Sequence, residues 1–245
     1  AVSVEVVPQV FPDLVTLRIT HDPTVLKDRF GPLAERIDDQ FKRHPGHGYM
    51  HRGKSASYRL VFTNVLPFQS LTVAYKRVFA ASGSDPEVPI DAEEKTLTLE
   101  PGTSEFVAGE VKAEDVPLGK PRDLRVDWRI VGREKTEKKF PVRFHQIDLK
   151  DYMDFRPYFG VKDGQEVCRL DIIRLANDPV REPILLPEIR VVIDGVRLNY
   201  RRKGEGLWPG GVHHADYTRS PGQTGFKWSA EIENGRTETQ DYVEP

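Results

Sequence analysis

His44, His47 and His51 bring three of the chain's seven histidines into eight positions, within the stretch FKRHPGHGYMHRGK. Imidazole nitrogen ligates zinc, copper or nickel, and on a helix His47 and His51 would share one face. Pro45, Gly46 and Gly48 oppose a continuous helix, and no Glu stands in an H-E-x-x-H arrangement, which removes the metalloprotease reading. Lys42, Arg43, Arg52 and Lys54 would repel a divalent ion. The stretch is therefore expected to be a basic, solvent-exposed connection from a helix to a strand, with no cofactor. A divalent metal held by His44, His47 and His51 is the alternative.

A second concentration of chemistry lies in KGEGLWPGGVHHADYTRSPGQTG, residues 203–225, between two strand-like segments. Connections this long tend to be functional or disordered. Trp208, His213, His214 and Tyr217 are its candidate ligand-binding residues. Trp and Tyr present flat faces for a sugar ring or a partner's apolar side chains. The packing alternative folds Trp208 back as a plug over a sheet edge, and adjacent histidines carry little metal signal of their own.

Catalytic constellations are scarce. The sequence has no G-x-S-x-G elbow, no P-loop and no dinucleotide fingerprint after a strand. Its single cysteine, Cys168, sits in EVCRLDII, where a small buried hydrophobe is the expected role. One cysteine cannot form an internal disulfide, which argues against a disulfide-stapled mini-domain and a cysteine-based zinc cage. The net charge of −2, with both signs interspersed, argues against nucleic acid as a partner, and Arg201-Arg202-Lys203 reads as a solvated strand end. No apolar run approaches the roughly 20 residues needed to cross a bilayer. The chain starts at Ala1 without an initiator Met, as a processed product or an excised fragment would.

The elements that must position these residues follow a period of two. In LRVDWRI, Leu124, Val126, Trp128 and Ile130 alternate with charged residues, the pattern of a strand with one buried and one wet face. Val15, Leu17 and Ile19 repeat it, as do Tyr58, Leu60 and Phe62, and Leu71, Val73 and Tyr75. Such alternation favours antiparallel sheets. Asp163-Gly164, Asp194-Gly195 and Asn234-Gly235 suit the positive φ of type I′ hairpin turns. Around Asp194-Gly195, Ile189, Val191 and Ile193 should face inward on one arm, with Val196, Leu198 and Tyr200 on the other. Leu26, Phe30, Leu33, Ile37 and Phe41 recur at helical spacing, and Pro32 suits a first turn, so one helix is expected from near Pro32 to Arg43.

These elements predict an all-β chain: two tandem antiparallel β-sandwich domains, immunoglobulin- or fibronectin-like in strand count and turn spacing, with one short helix in the first. The boundary is expected near residue 148, giving 1–148 with the helical insertion and 149–245 with the long glycine-rich stretch. Trp-hairpin-valine patterns near the ends of both halves suggest a duplicated module. The functional expectation is a non-catalytic binding or assembly module, periplasmic or extracellular, with a protein partner; the cytoplasm stays open. Two alternatives are a carbohydrate-binding accessory module and a metal-binding protein.

Overall fold

The structure, a computed structural model, describes residues 13–83, 85–133, 136–199, 205–232 and 237–244. The Arg201-Arg202-Lys203 run, Tyr200 and the Asn234-Gly235 turn lie outside the described residues. The chain is all-β, built mostly of strands in several antiparallel sheets, with short helical segments. Its contacts group into two compact units. The first draws on the chain up to Thr20, on Arg59–Gly109 and on Asp123–Val142; the second draws on His21–Tyr58, Glu110–Arg122 and the chain from Arg143 onward. Residue 148 falls inside the second unit.

In the first unit, Leu71–Phe79 is the central strand. It pairs antiparallel with Arg122–Ile130 along one side, and with Lys95–Leu99 and Val88–Pro89 along the other. A further sheet has Ala56–Asn64 between Val15–His21 and Ser104–Val111. The period of two sorts the side chains as the sequence predicts: Leu60, Phe62, Val73, Leu124, Val126 and Trp128 are all buried. Phe62 meets the edge of Trp128 with ring centroids 6.0 Å apart. Arg77 is the charged exception on a buried face, and Asp91 answers it with two bonds of 2.8 Å from Nε and Nη2.

The second unit holds a short antiparallel pair, Ile184–Leu185 with Gly206–Leu207, and two larger antiparallel sheets. One orders Met153–Lys162, Gln165–Arg174 and Val212–Thr218, and the other orders Val196–Leu198, Ile189–Ile193, Gly225–Ile232 and Thr237–Val243. Leu170, Ile172, Val191, Ile193, Trp228 and Ala230 belong to a single core cluster fed from both. Burying such apolar area is the dominant favourable term in folding. The two aspartate-glycine turns behave as expected. Asp163 and Gly164 have φ of 51° and 79°, and Asp194 and Gly195 have 48° and 78°, the left-handed pair a type I′ hairpin needs. Ile189, Val191 and Ile193 are buried, and the partner arm is more exposed at Val196 and Leu198.

Two expectations are corrected here. The single helix expected from Pro32 to Arg43 is instead a 3₁₀ turn at Gly31–Arg36 and one α-helical turn at Gln40–Arg43, and a separate α-helix at Pro23–Phe30 precedes them. Asp22 caps the first through the N–H of Thr24 at 3.0 Å. Gly31 then turns to a φ of 55°, Pro32 has no N–H to continue the ladder, and Ile37 is extended. Leu26, Phe30, Leu33 and Ile37 still pack together, because the apolar spacing survives the breaks. The second correction concerns the histidine stretch. His47–His51 is a strand, not an exposed connection, and it pairs parallel to Arg143–Ile147.

That strand has little room to spare. A Cβ on Gly48 would lie 2.5 Å from Cε1 of Phe144, which is itself buried and packed on Phe41 and Tyr58. Gly48→Ala should therefore destabilise the fold by about 1–3 kcal/mol through overpacking, read as a lower melting temperature. An unchanged melt would mean that the strand is not seated on Phe144.

Candidate functional site

Polar chemistry in the second unit gathers in three places, and the first is buried. On Gln165–Arg174, the core parity that carries Cys168, Leu170 and Ile172 ends in Arg174, whose side chain is fully buried. Its Nε donates to Asp178 Oδ2 at 2.8 Å, and its two terminal nitrogens reach the carbonyls of Glu182, Leu207 and Val180 at 2.7–2.9 Å. Asp178 also accepts from the Val180 N–H at 2.9 Å and from His51 Nε2 at 2.9 Å. Burial alone would push the Asp178 carboxyl up, but His51 and Arg174 outweigh it and hold Asp178 below its ordinary value. The carboxylate is thus ionised, His51 Nε2 carries the hydrogen, and each of the arginine's three nitrogens has a partner.

A cavity of about 30 Å³ adjoins this cluster, lined in part by His51, Arg29, Lys54, Glu182 and Glu188. Arg29 pairs with Glu182 at 3.0 Å and Lys54 with Glu188 at 3.7 Å. The space suits a water or two and is far below the roughly 300 Å³ of a small-molecule pocket. Ser55 also lines it, but its hydroxyl donates to Glu110 at 2.5 Å, so it is not a nucleophile poised on His51. Cys168 is no better placed, since burial pushes its thiol up to about 11.

The second place is the outer face and edge of the three-stranded sheet. The long glycine-rich stretch contains a strand, Val212–Thr218, antiparallel to Gln165–Arg174. His213, His214 and Tyr217 all lie on it. His214 is half exposed, with Nδ1 2.5 Å from Asp171 Oδ1. Asp216 accepts two bonds from Arg169 at 2.6 and 3.1 Å, with Lys162 at 3.4 Å. Tyr217 packs on the core, and burial lowers the pKa of His213, with His214 adding to the effect. Trp208 lies apart from them, against the Leu26–Phe30–Leu33–Ile37 cluster, with the Arg36 guanidinium 4.8 Å from its ring centroid.

Main-chain alternation on this strand can be read from its ends. Arg174 N–H bonds to the Gly211 carbonyl at 3.0 Å, and Arg219 N–H to the Glu166 carbonyl at 3.1 Å. In an antiparallel ladder every second residue points its N–H and C=O at the neighbour. His213, Ala215 and Tyr217 therefore bond inward, while Val212, His214, Asp216 and Thr218 direct theirs to the open side. Among the described residues no strand pairs there. The sheet's opposite edge, Met153–Lys162, differs. Leu175 N–H to the Tyr152 carbonyl fixes its register, which puts Pro157, with no N–H, on the open side. Proline there blunts the edge.

The third place is the histidine stretch itself. The structure separates the three predicted ligands: His51 turns to Asp178, His47 turns to His145 at 2.9 Å, and His44 lies edge-on to Tyr49. Among the described residues no three His, Cys, Asp or Glu side chains gather where they could hold a metal ion. Sequence reading passed over Arg174, Asp178, His145 and Asp171. Arg174 did leave a signal, a charge at core parity in CRLDIIR.

No family model and no curated protein matches the sequence. Among solved structures, the chain is similar to a transglutaminase of red sea bream, with a TM-score of 0.39 and 8% identity over 96% of this chain and 32% of that one. It is similar also to the class 5 fimbriae chaperone CfaA, with a TM-score of 0.28 and 11% identity over 82% of this chain and 97% of the chaperone. A secreted serine protease of Vibrio cholerae, VesC, gives 0.26 and 10%, over 81% and 49%. The chain spans about a third of the transglutaminase. Scores this low carry no activity or partner across.

The buried cluster makes a sharp statement about stability. Asp178→Ala strands a buried guanidinium and should cost about 3–5 kcal/mol, while replacing Arg174 and Asp178 together by Met and Leu should cost less. Because the folded pKa of Asp178 is depressed, its contribution is complete above the unfolded carboxylate value and fades as pH falls through the folded one. Denaturant titrations of both variants at neutral and acid pH measure this. Equal losses for the single and double variants would refute the cluster's role.

Proposed function

We propose that this chain is a non-catalytic binding module that takes an extended segment of a partner protein along the open edge of Val212–Thr218. One observation carries the reading. Among the described residues no strand pairs with the outward N–H and C=O groups of Val212, His214, Asp216 and Thr218, along an edge free of proline, while the opposite edge of the same sheet is blunted by Pro157. Strand addition uses such main-chain groups for affinity and alternate side chains for specificity.

The edge is also held still. Asp216 is clamped by Arg169 and His214 is tied to Asp171 on the outer face, while Ala215 and Tyr217 are set in the core on the inner face. A rigid strand loses little conformational freedom when a partner docks, which improves affinity. The half-exposed Val212 gives the incoming strand an apolar contact at one end. An extracytoplasmic setting, where strand addition between separate chains is common currency for assembly, belongs to the same proposal.

The test is a screen of displayed extended peptides against the intact protein, followed by Thr218→Pro. That change removes an outward N–H without breaking a bond inside the sheet. Losing one or two main-chain hydrogen bonds, each worth about 0.5–1.5 kcal/mol, should weaken a bound peptide about tenfold and leave the melting temperature nearly unchanged. Peptides whose binding ignores Thr218→Pro, or a protein that stays monomeric and captures no peptide at millimolar concentration, would refute the reading.

A further inference from the structure

The geometry points to a second, independent site: a two-imidazole chelate for divalent copper formed by His47 and His145. The two residues sit on adjacent parallel strands, with Tyr49 opposite His145 and Arg143 opposite His47. Their rings therefore project from one face on a diagonal. His47 Nδ1 and His145 Nε2 face each other at 2.9 Å. Two metal–nitrogen bonds of about 2.0–2.1 Å span about 2.9–3.3 Å between right-angle and tetrahedral geometry, so both nitrogens lie within reach of one ion. Copper leads the order of divalent affinities for such nitrogen ligands, with water free to complete its tetragonal shell.

The rings are held in place before any ion arrives. Tyr49 stacks on His145 with centroids 4.8 Å apart and 14° between planes, and the His47 and His145 centroids are 5.1 Å apart. All three side chains are half-buried, so solvent reaches them. His44 approaches Tyr49 edge-on at 5.3 Å, and its Nε2 is buried without a hydrogen-bond partner. Burial, with Arg181, His47 and Arg43 nearby, holds its pKa below the ordinary imidazole value. His44 stands outside the chelate, and water completes the coordination.

Without the ion, the facing nitrogens share one hydrogen, one ring donating and the other accepting. Coordination of both facing nitrogens displaces that shared hydrogen.

Untagged protein, stripped with chelator, is titrated with Cu(II) by calorimetry and by electron paramagnetic resonance. One equivalent with a tetragonal, two-nitrogen signal is expected. His47→Gln and His145→Gln should each weaken binding at least tenfold, and His21→Gln should leave it unchanged. Should the variants unfold, NMR of the unaltered protein decides instead, because Cu(II) must broaden the resonances of His47 and His145 first. No saturable binding, binding retained in both variants, or broadening centred elsewhere overturns the site.

Discussion

A guanidinium with no access to water governs the second unit. Removing such a charge from solvent costs several kcal/mol even after relaxation, so Arg174 tolerates its position only where each of its nitrogens is met. Asp178 and the carbonyls of Val180, Glu182 and Leu207 meet them. Those partners come from the segment just after the strand and from Gly206–Leu207, which are otherwise irregular or barely paired. The arginine thus dictates their path, and conformational specificity follows from the cost of any other arrangement. His51 joins through Asp178, so the same charge also fixes where the histidine-bearing strand ends.

The strand that ends in Arg174 organises the outer face as well. Its alternate residues Arg169 and Asp171 point away from the core and hold Asp216 and His214 of the neighbouring strand. Tyr158 OH donates to Asp171 from the other side at 3.2 Å. Inner parity supplies the core and the buried charge, while outer parity supplies a hydrogen-bonded network that stiffens the edge. Isolated surface ion pairs contribute little to stability. A network with bidentate geometry, set on an already buried strand, matters for rigidity more than for free energy.

How far the sequence disclosed this depends on whether the signal was local. The alternation of Leu124, Val126, Trp128 and Ile130 and the Asp-Gly turns are local, and the structure follows them closely. The apolar spacing of Leu26, Phe30, Leu33 and Ile37 predicted a shared face correctly but not a continuous helix, because Gly31 and Pro32 break the ladder without breaking the contact. The histidine stretch misled for a different reason. Its glycines and basic residues describe a loop, yet a parallel pairing with Arg143–Ile147 almost a hundred positions away makes it a strand. No local pattern encodes a non-local partner. The same holds for His145 and Asp178, whose importance lies in what they meet.

The glycine-rich stretch shows where side-chain motifs stop being informative. Its histidines and tyrosine drew attention as ligands, and in the fold their side chains are largely engaged: His214 by Asp171, and Tyr217 by the core. What the strand leaves without a partner strand among the described residues is main chain, which every residue type carries alike and which no motif can mark. The informative residue is instead on the opposite edge, where Pro157 withholds the one donor that would make that edge equivalent. With one edge blunted and, among the described residues, no strand on the other, the proposed strand addition has a direction that side-chain chemistry alone would not give.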